Sequence, residues 1–148
     1  MTVLAAIDQE HRTNPVIEIG HDLATAHDEP LVVLHVVPEA EFAQHQQAVT
    51  ELPGQSDFSF TQEAESAAQF ARTIVENTLE EFDSSQVSTI GRVGDPVEKI
   101  LAAAEEIDAR YLVTGGRRRS PAGKAVFGNK TQSILLESTL PVMTVMLD

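Results

Sequence analysis

Leu31-Val32-Val33-Leu34-His35-Val36-Val37, closed by Pro38, is the stretch that decides the fold. Six of these seven residues are apolar and four are valine. A β-branched run of this kind, stopped by proline, predicts a strand covered on both faces. Val3–Ile7 has the same character, and Gln86–Gly91, Tyr111–Thr114 and Val142–Leu147 repeat it more weakly. Between these runs the apolar period changes from two to 3.6. Asn14 as a cap and Pro15 at the first position predict a helix bearing Val16, Gly20, Leu23, Ala24 and His27 on one face, with Asp28-Glu29-Pro30 stopping it. A longer helix is expected over Thr61–Glu81, where Ala64, Ala67, Ala68, Ala71, Ile74, Val75 and Leu79 recur at helical spacing. Asp95-Pro96-Val97-Glu98 opens another, with Val97, Ile100, Leu101, Ala104 and Ile107 as its buried stripe. A last helix covers Lys130–Glu137. Residues 39–60, rich in Gln, Glu and Ala and carrying Pro53-Gly54, read as a mobile excursion with a helical turn around Glu41–Val49. Strands separated by helices of this length need crossovers. The expected fold is therefore α/β: an open five-stranded parallel sheet, Rossmann-like, with helices on both faces and residues 1–148 as one domain.

Composition bounds the function. The 148 residues are 42% apolar, as in a globular chain, and include no cysteine. Disulfides, thiolate metal sites and cysteine nucleophiles are thereby excluded. Met1 leads into an apolar strand with no basic leader, and no apolar run approaches the roughly 18 residues of a membrane span. A cytoplasmic protein is the expectation. The net charge of −13 argues against a broad nucleic-acid or anionic-lipid surface. That charge is unevenly placed. Arg110, Arg117, Arg118, Arg119, Lys124 and Lys130 fall in 21 residues without an acidic side chain, while the other 127 residues hold 4 basic and 23 acidic ones. Only three of the basic residues are lysine, an acid-rich and lysine-poor balance that resembles proteins of halophilic organisms.

Open parallel sheets bind ligands beyond the carboxyl ends of their strands, where the winding reverses. The loop after the fourth strand, Gly115–Gly128, combines glycines with arginines and runs into a helix start, a coherent anion site. It can equally be a turn with solvated arginines. The five histidines form no metal pattern, and His35, alternating with apolar neighbours, reads as a satisfied or half-buried strand residue. No serine or carboxylate pair stands out as catalytic.

The chain resembles the universal stress proteins along essentially its whole length. Ala6-Ile7-Asp8, Leu34-His35-Val36, Gly94-Asp95-Pro96, Leu112-Val113-Thr114-Gly115 and Pro141-Val142 carry the resemblance in order and spacing. It implies an adenine nucleotide alpha hydrolase-like fold and a stress-response binding module with ATP or another adenine nucleotide, with or without Mg2+, and slow hydrolysis at most. ATP-binding members carry Gly, two residues, Gly, nine residues, then Gly and Ser or Thr. Gly115 and Gly128 keep this spacing, but Arg118 replaces the second glycine and Asn129 the hydroxyl residue. Arg118 is disfavoured if that position needs positive φ, and Asn129 can cap a helix with Gln132 completing a box. By position, the resemblance places Asp8 on the ribose or a metal-linked water and the Val36 backbone against adenine. It places Gly115, Arg117, Gly128 and Asn129 around the phosphates. It also implies a homodimer, through antiparallel pairing of Val142–Leu147 with its copy. The alternatives are a dimer acting through protein contacts without nucleotide, and a nucleotide-dependent transferase or ligase on the related fold.

Overall fold

The computed structural model describes residues 1–8, 13–50, 59–117 and 129–147. In chain order the elements are β1 (Thr2–Ile7), α1 (Asn14–Ala26), β2 (Leu31–Val37), α2 (Glu39–Thr50), α3 (Phe60–Thr78), β3 (Val87–Val93), α4 (Pro96–Glu106), β4 (Ala109–Arg117), α5 (Asn129–Glu137) and β5 (Val142–Leu147). The five strands form one sheet in the order β3-β2-β1-β4-β5, and every neighbouring pair is parallel. This is the expected α/β architecture.

Alternation along the two central strands divides the core into two layers. Val3, Ala5, Ile7, Leu31 and Val33 point to one face and pack against Val16 and Ile17 of α1 and Ala71 and Val75 of α3. Leu4, Ala6, Val32, Leu34 and Val36 point to the other, against Ile100, Ala103 and Ala104 of α4 and Ile134 of α5. Helices therefore cover both faces, and the all-apolar reading of β2 is explained: each of its seven residues is buried.

The helix ends follow local chemistry, with two departures from expectation. Asp95 caps α4 as expected, its carboxylate accepting from the Glu98 amide at 3.2 Å, with Gly94 before it at φ +144°, where glycine is favoured. At α1, by contrast, the cap position is Thr13, and Asn14 is the first helical residue. The Asn14 amide is used elsewhere, donating to Thr78 Oγ1 at 2.7 Å and tying α1 to the end of α3. His27, expected on the buried face, is exposed, and Ile17, not expected there, is buried. α3 starts from a capping box in which Ser59 and Gln62 exchange backbone-to-side-chain bonds of 3.2 and 2.9 Å. It ends at Thr78, three residues short of the expected Glu81.

The excursion expected over 39–60 is helical through Glu39–Thr50, and Pro53-Gly54 lies outside the described residues. Phe42 is the reason α2 docks: it is buried with Val37, Ala67 and Val93 and stacks on Phe60 at 4.4 Å between ring centroids. A second correction concerns β4. It continues through Gly115 and Gly116 to Arg117, in register with β5 as far as Arg117 opposite Leu147, so the basic segment begins as strand.

The alanine stripe of α3 lets that helix approach β3 unusually closely. A Cβ added at Gly91 would fall on the Ala64 carbonyl oxygen and come within 2.7 Å of the Ala68 nitrogen. Both obstacles are backbone, so the helix as a whole must move to admit a methyl group. Gly91→Ala is therefore expected to destabilise the fold by about 1–3 kcal/mol, read as a lower urea midpoint. An unchanged midpoint would show that the α3–β3 contact is not tight.

Candidate functional site

The sheet opens a crevice by ending one ladder early. β1 and β2 stay paired to Ile7 opposite His35, but β1 and β4 are paired only to Ala5 opposite Val113. Past that point Ala6 and Ile7 diverge from Thr114 and Gly115, because β4 continues only alongside β5. The reversal of winding lies here, since β1 leads outward to β2 on one side and β4 to β5 on the other.

A cavity of about 400 Å³ occupies this crevice. The strand ends supply Ile7, Asp8, His35, Val36, Thr114 and Gly115 to its lining. Thr13 and Glu41 close it from α1 and α2, Pro96 and Ile100 from α4, and Lys130, Thr131 and Ile134 from α5. Its volume falls within the range of small-molecule sites, roughly 300–1,000 Å³. Its charges are divided: the carboxylates of Asp8 and Glu41 belong to the β1 and β2 side, and Lys130 stands in the first turn of α5. The positive end of the α5 dipole adds to the lysine. A larger groove of about 650 Å³ lies between α4 and α5, away from the strand ends, with Asp95, Glu98, Glu105 and Glu137 on its walls.

The six candidate residues fare differently. Asp8, Val36 and Gly115 meet in the cavity. Val36 is buried among Leu34 and Ile100, as its apolar side chain requires, and it is the strand end that faces the space. Gly115 has a packing role that the loop reading missed. A Cβ there would lie 2.5 Å from Leu147 Cδ1, and its carbonyl accepts the Thr131 hydroxyl at 2.9 Å. That bond pins the first turn of α5 to β4 and so fixes the cavity's positive end. Arg117 is the last residue of β4, two positions beyond Gly115 and opposite Leu147. Asn129 opens α5 as its first residue, one position earlier than expected. Gly128 and Arg118 lie outside the described residues.

Lys130, Thr131 and Glu41 were not singled out. Lys130 directly follows Asn129 in the basic run and could have been found from that adjacency. Glu41 is brought in only by the docking of α2. Arg110, counted in the same run, belongs to the opposite end of the sheet. It grips Glu29 with Nε at 2.9 and 3.0 Å and a terminal nitrogen at 2.6 Å. This fork holds the Glu29 carboxyl below the usual carboxylate range and raises the guanidinium in turn. Among the described residues, no three His, Asp or Glu side chains converge as a metal site, and no helix is long and apolar enough to cross a membrane.

His35 is more deeply buried than its alternating neighbours suggested. It is 2% exposed, its ring 4.9 Å from that of Phe70. Nδ1 lies 3.4 Å from the Ile7 carbonyl, and Nε2 has no hydrogen-bond partner among the described residues. Burial pushes its pKa below the ordinary value of 6.5, against the raising effects of the Ile7 carbonyl, Glu41, Asp8 and Glu63.

An open parallel sheet in this order, with a crevice at its switch point, defines a Rossmann-like α/β ligand-binding architecture. The universal stress protein family model matches residues 1–146, and the chain belongs to that family. A universal stress protein of Mycolicibacterium smegmatis is 43% identical over 51 residues, which are 34% of this chain and 39% of that protein. The stress response protein NhaX of Bacillus subtilis is 36% identical over 52 residues, 35% of this chain and 31% of its own length. The matched segment thus spans about a third of these relatives. Among solved structures, a universal stress protein from Archaeoglobus fulgidus superposes with a TM-score of 0.68 at 22% identity over 97% of both chains. A universal stress protein in complex with cAMP gives 0.62 at 15% identity, covering 99% of this chain and 96% of that one. One from Archaeoglobus fulgidus in complex with dAMP gives 0.59 at 19%, covering 97% and 96%. At these identities the likeness is one of fold.

The state of His35 gives a stability signature. The unfolded chain takes up a proton near pH 6.5, whereas the folded chain resists it. Stability is therefore full above that pH and is lost as pH falls through it, until the folded histidine also protonates. His35→Phe is expected to flatten the fall in urea stability as pH drops below about 6.5. An undiminished slope in the variant would assign the acid sensitivity to other groups.

Proposed function

We propose that this protein is a stress-response binding module that holds an adenine nucleotide in the switch-point cavity. The observation that carries the reading is the cavity's polarity, with Asp8 and Glu41 toward β1 and β2 and with Lys130 and the start of α5 across from them. A nucleotide has the matching form: hydrogen-bond donors on base and ribose at one end, phosphate at the other. Helix N-termini suit phosphate through their unpaired amides and dipole. The solved relatives in complex with cAMP and dAMP support adenine as the base. Asp8 would then face the ribose and the Val36 backbone the base. Gly115, Lys130 and the start of α5 would face the phosphate, with Arg117, Gly128 and Asn129 contributing from the adjoining segment. Were Mg2+ to enter with the phosphates of ATP, Asp8 would serve it in place of the ribose. Binding rather than turnover is the proposed activity. The proposed setting is the cytoplasm.

The test is titration calorimetry of purified protein with ATP and AMP, with carried-over nucleotide sought by mass spectrometry. Molar potassium chloride is the chosen medium, the salt range that the acid-rich composition suits. Saturable binding of either nucleotide is expected, and the absence of both heat and bound nucleotide would overturn the reading. Release of many phosphates per protein would instead identify an enzyme.

A homodimer is the proposed assembly. β5 is an edge strand whose other neighbour is β4, and Met143 and Met146 on it are 41% and 39% exposed. Apolar edge strands of this kind invite pairing. Light scattering is expected to give twice the 16.1 kDa chain mass. Met143→Lys with Met146→Lys should return the monomer. A wild-type monomer would overturn the assignment.

A further inference from the structure

We propose that Glu41, on α2, is the specificity-determining residue of the cavity and that it selects a base bearing an exocyclic amino group. The inference rests on the nucleotide reading above and extends it to a residue on a helix outside the sheet-end motifs. Lys130 and the first turn of α5 mark where a phosphate would sit, so the base points toward the side formed by β2, Pro38 and α2. Glu41 lies on that side, in the first turn of α2, and its carboxylate is an acceptor only. It can bond a base amino group, whereas a base lacking one leaves it facing apolar ring edge. Losing a bond from a carboxylate that is partly withdrawn from water is the kind of mismatch that discriminates between ligands.

The placement of Glu41 is built rather than incidental. Phe42, its neighbour, is buried and stacked on Phe60, which fixes the rotation of α2. His45, one turn further on, is bonded through Nδ1 to Oε1 of Glu63 at 2.8 Å. Glu63 is only 4% exposed, although it is charged and lies on the buried face of α3. A carboxylate accepts and does not donate, so the shared proton sits on Nδ1 and the ring is oriented. Its Nε2 then stands 3.8 Å from Oε1 of Glu41. His45 thus ties α2 to the buried face of α3, with its ring beside the carboxylate on the cavity wall. Burying Glu63 is costly without a partner. The bond to His45 offsets that cost when α2 is docked in this position, which makes Glu41 part of a fixed wall.

The test crosses two proteins with two ligands. Wild type and Glu41→Ala are titrated by calorimetry with ATP and with the triphosphate of purine riboside, which lacks only the 6-amino group. Wild type is expected to bind ATP at least about fivefold more tightly. In Glu41→Ala that ratio should fall to nearly one, while purine riboside triphosphate binds equally well or better. The coupling between residue and amino group is the readout, so a general loss of affinity cannot imitate it. Glu41→Gln keeps an acceptor oxygen and should retain part of the preference, with circular dichroism confirming an unchanged fold. Equal binding of both ligands by wild type, or a preference that survives in Glu41→Ala, would overturn the role of Glu41 and leave nucleotide binding standing. No binding of either ligand to wild type would overturn both.

Discussion

β1 is bonded on both sides, to β2 and to β4, and the rest of the structure depends on how far each ladder runs. No residue from Val3 to Ile7 is more than 7% exposed, so the strand cannot slip by one position without driving a side chain into the wrong layer. With β1 fixed, its ladder to β2 reaches Ile7 and its ladder to β4 stops at Val113. The gap left beyond Ala5 is the cavity. The site is thus a consequence of strand pairing before any particular side chain is considered, and this is why it falls at the reversal of winding.

Strands and most helices were legible because burial imposes a period, and both central strands are buried on both faces. The capped start of α4 was legible for a different reason, since Asp95, Pro96 and Gly94 each meet a local backbone requirement. α2 left only a weak trace, because it is anchored by a buried apolar residue and by a polar pair whose histidine is exposed. Phe42 packs below it, His45 reaches Glu63, and most of the remaining described positions are solvated. A helix anchored at single points leaves no stripe for periodicity to detect. Asn14 was misread because its amide has a tertiary partner 64 residues away in Thr78, which no local rule can supply.

Gly115 shows how one residue can support a correct location by an incomplete argument. Glycine before a basic run reads as a loop built for phosphate. In the fold it is a strand residue whose missing Cβ admits Leu147 of β5 and whose carbonyl receives Thr131 of α5. Glycine within a strand often marks such close approach. The consequence for the cavity is indirect but firm: by letting β5 and α5 close on β4, Gly115 sets where the α5 N-terminus points.

The charge pattern resolves in the same geometric way. Of the six basic residues that stand together in sequence, the three that are described, Arg110, Arg117 and Lys130, are divided between the two ends of the sheet, because nearly the whole of β4 runs between Arg110 and Arg117. Arg110 is neutralised by Glu29 at the amino end, and Lys130 stands at the carboxyl end beside the cavity. A nine-residue strand at about 3.3 Å per residue separates these ends by well over the Debye length of about 8 Å in physiological salt. Each end therefore answers to its own neighbours, and the overall charge of −13 does not set the potential at the α5 terminus. An acidic protein can in this way keep a locally positive helix start at one wall of a cavity. Under the proposed nucleotide reading, Asp8 and Glu41 at the other wall would face the donor end of the ligand, where negative charge would orient it without repelling its phosphate.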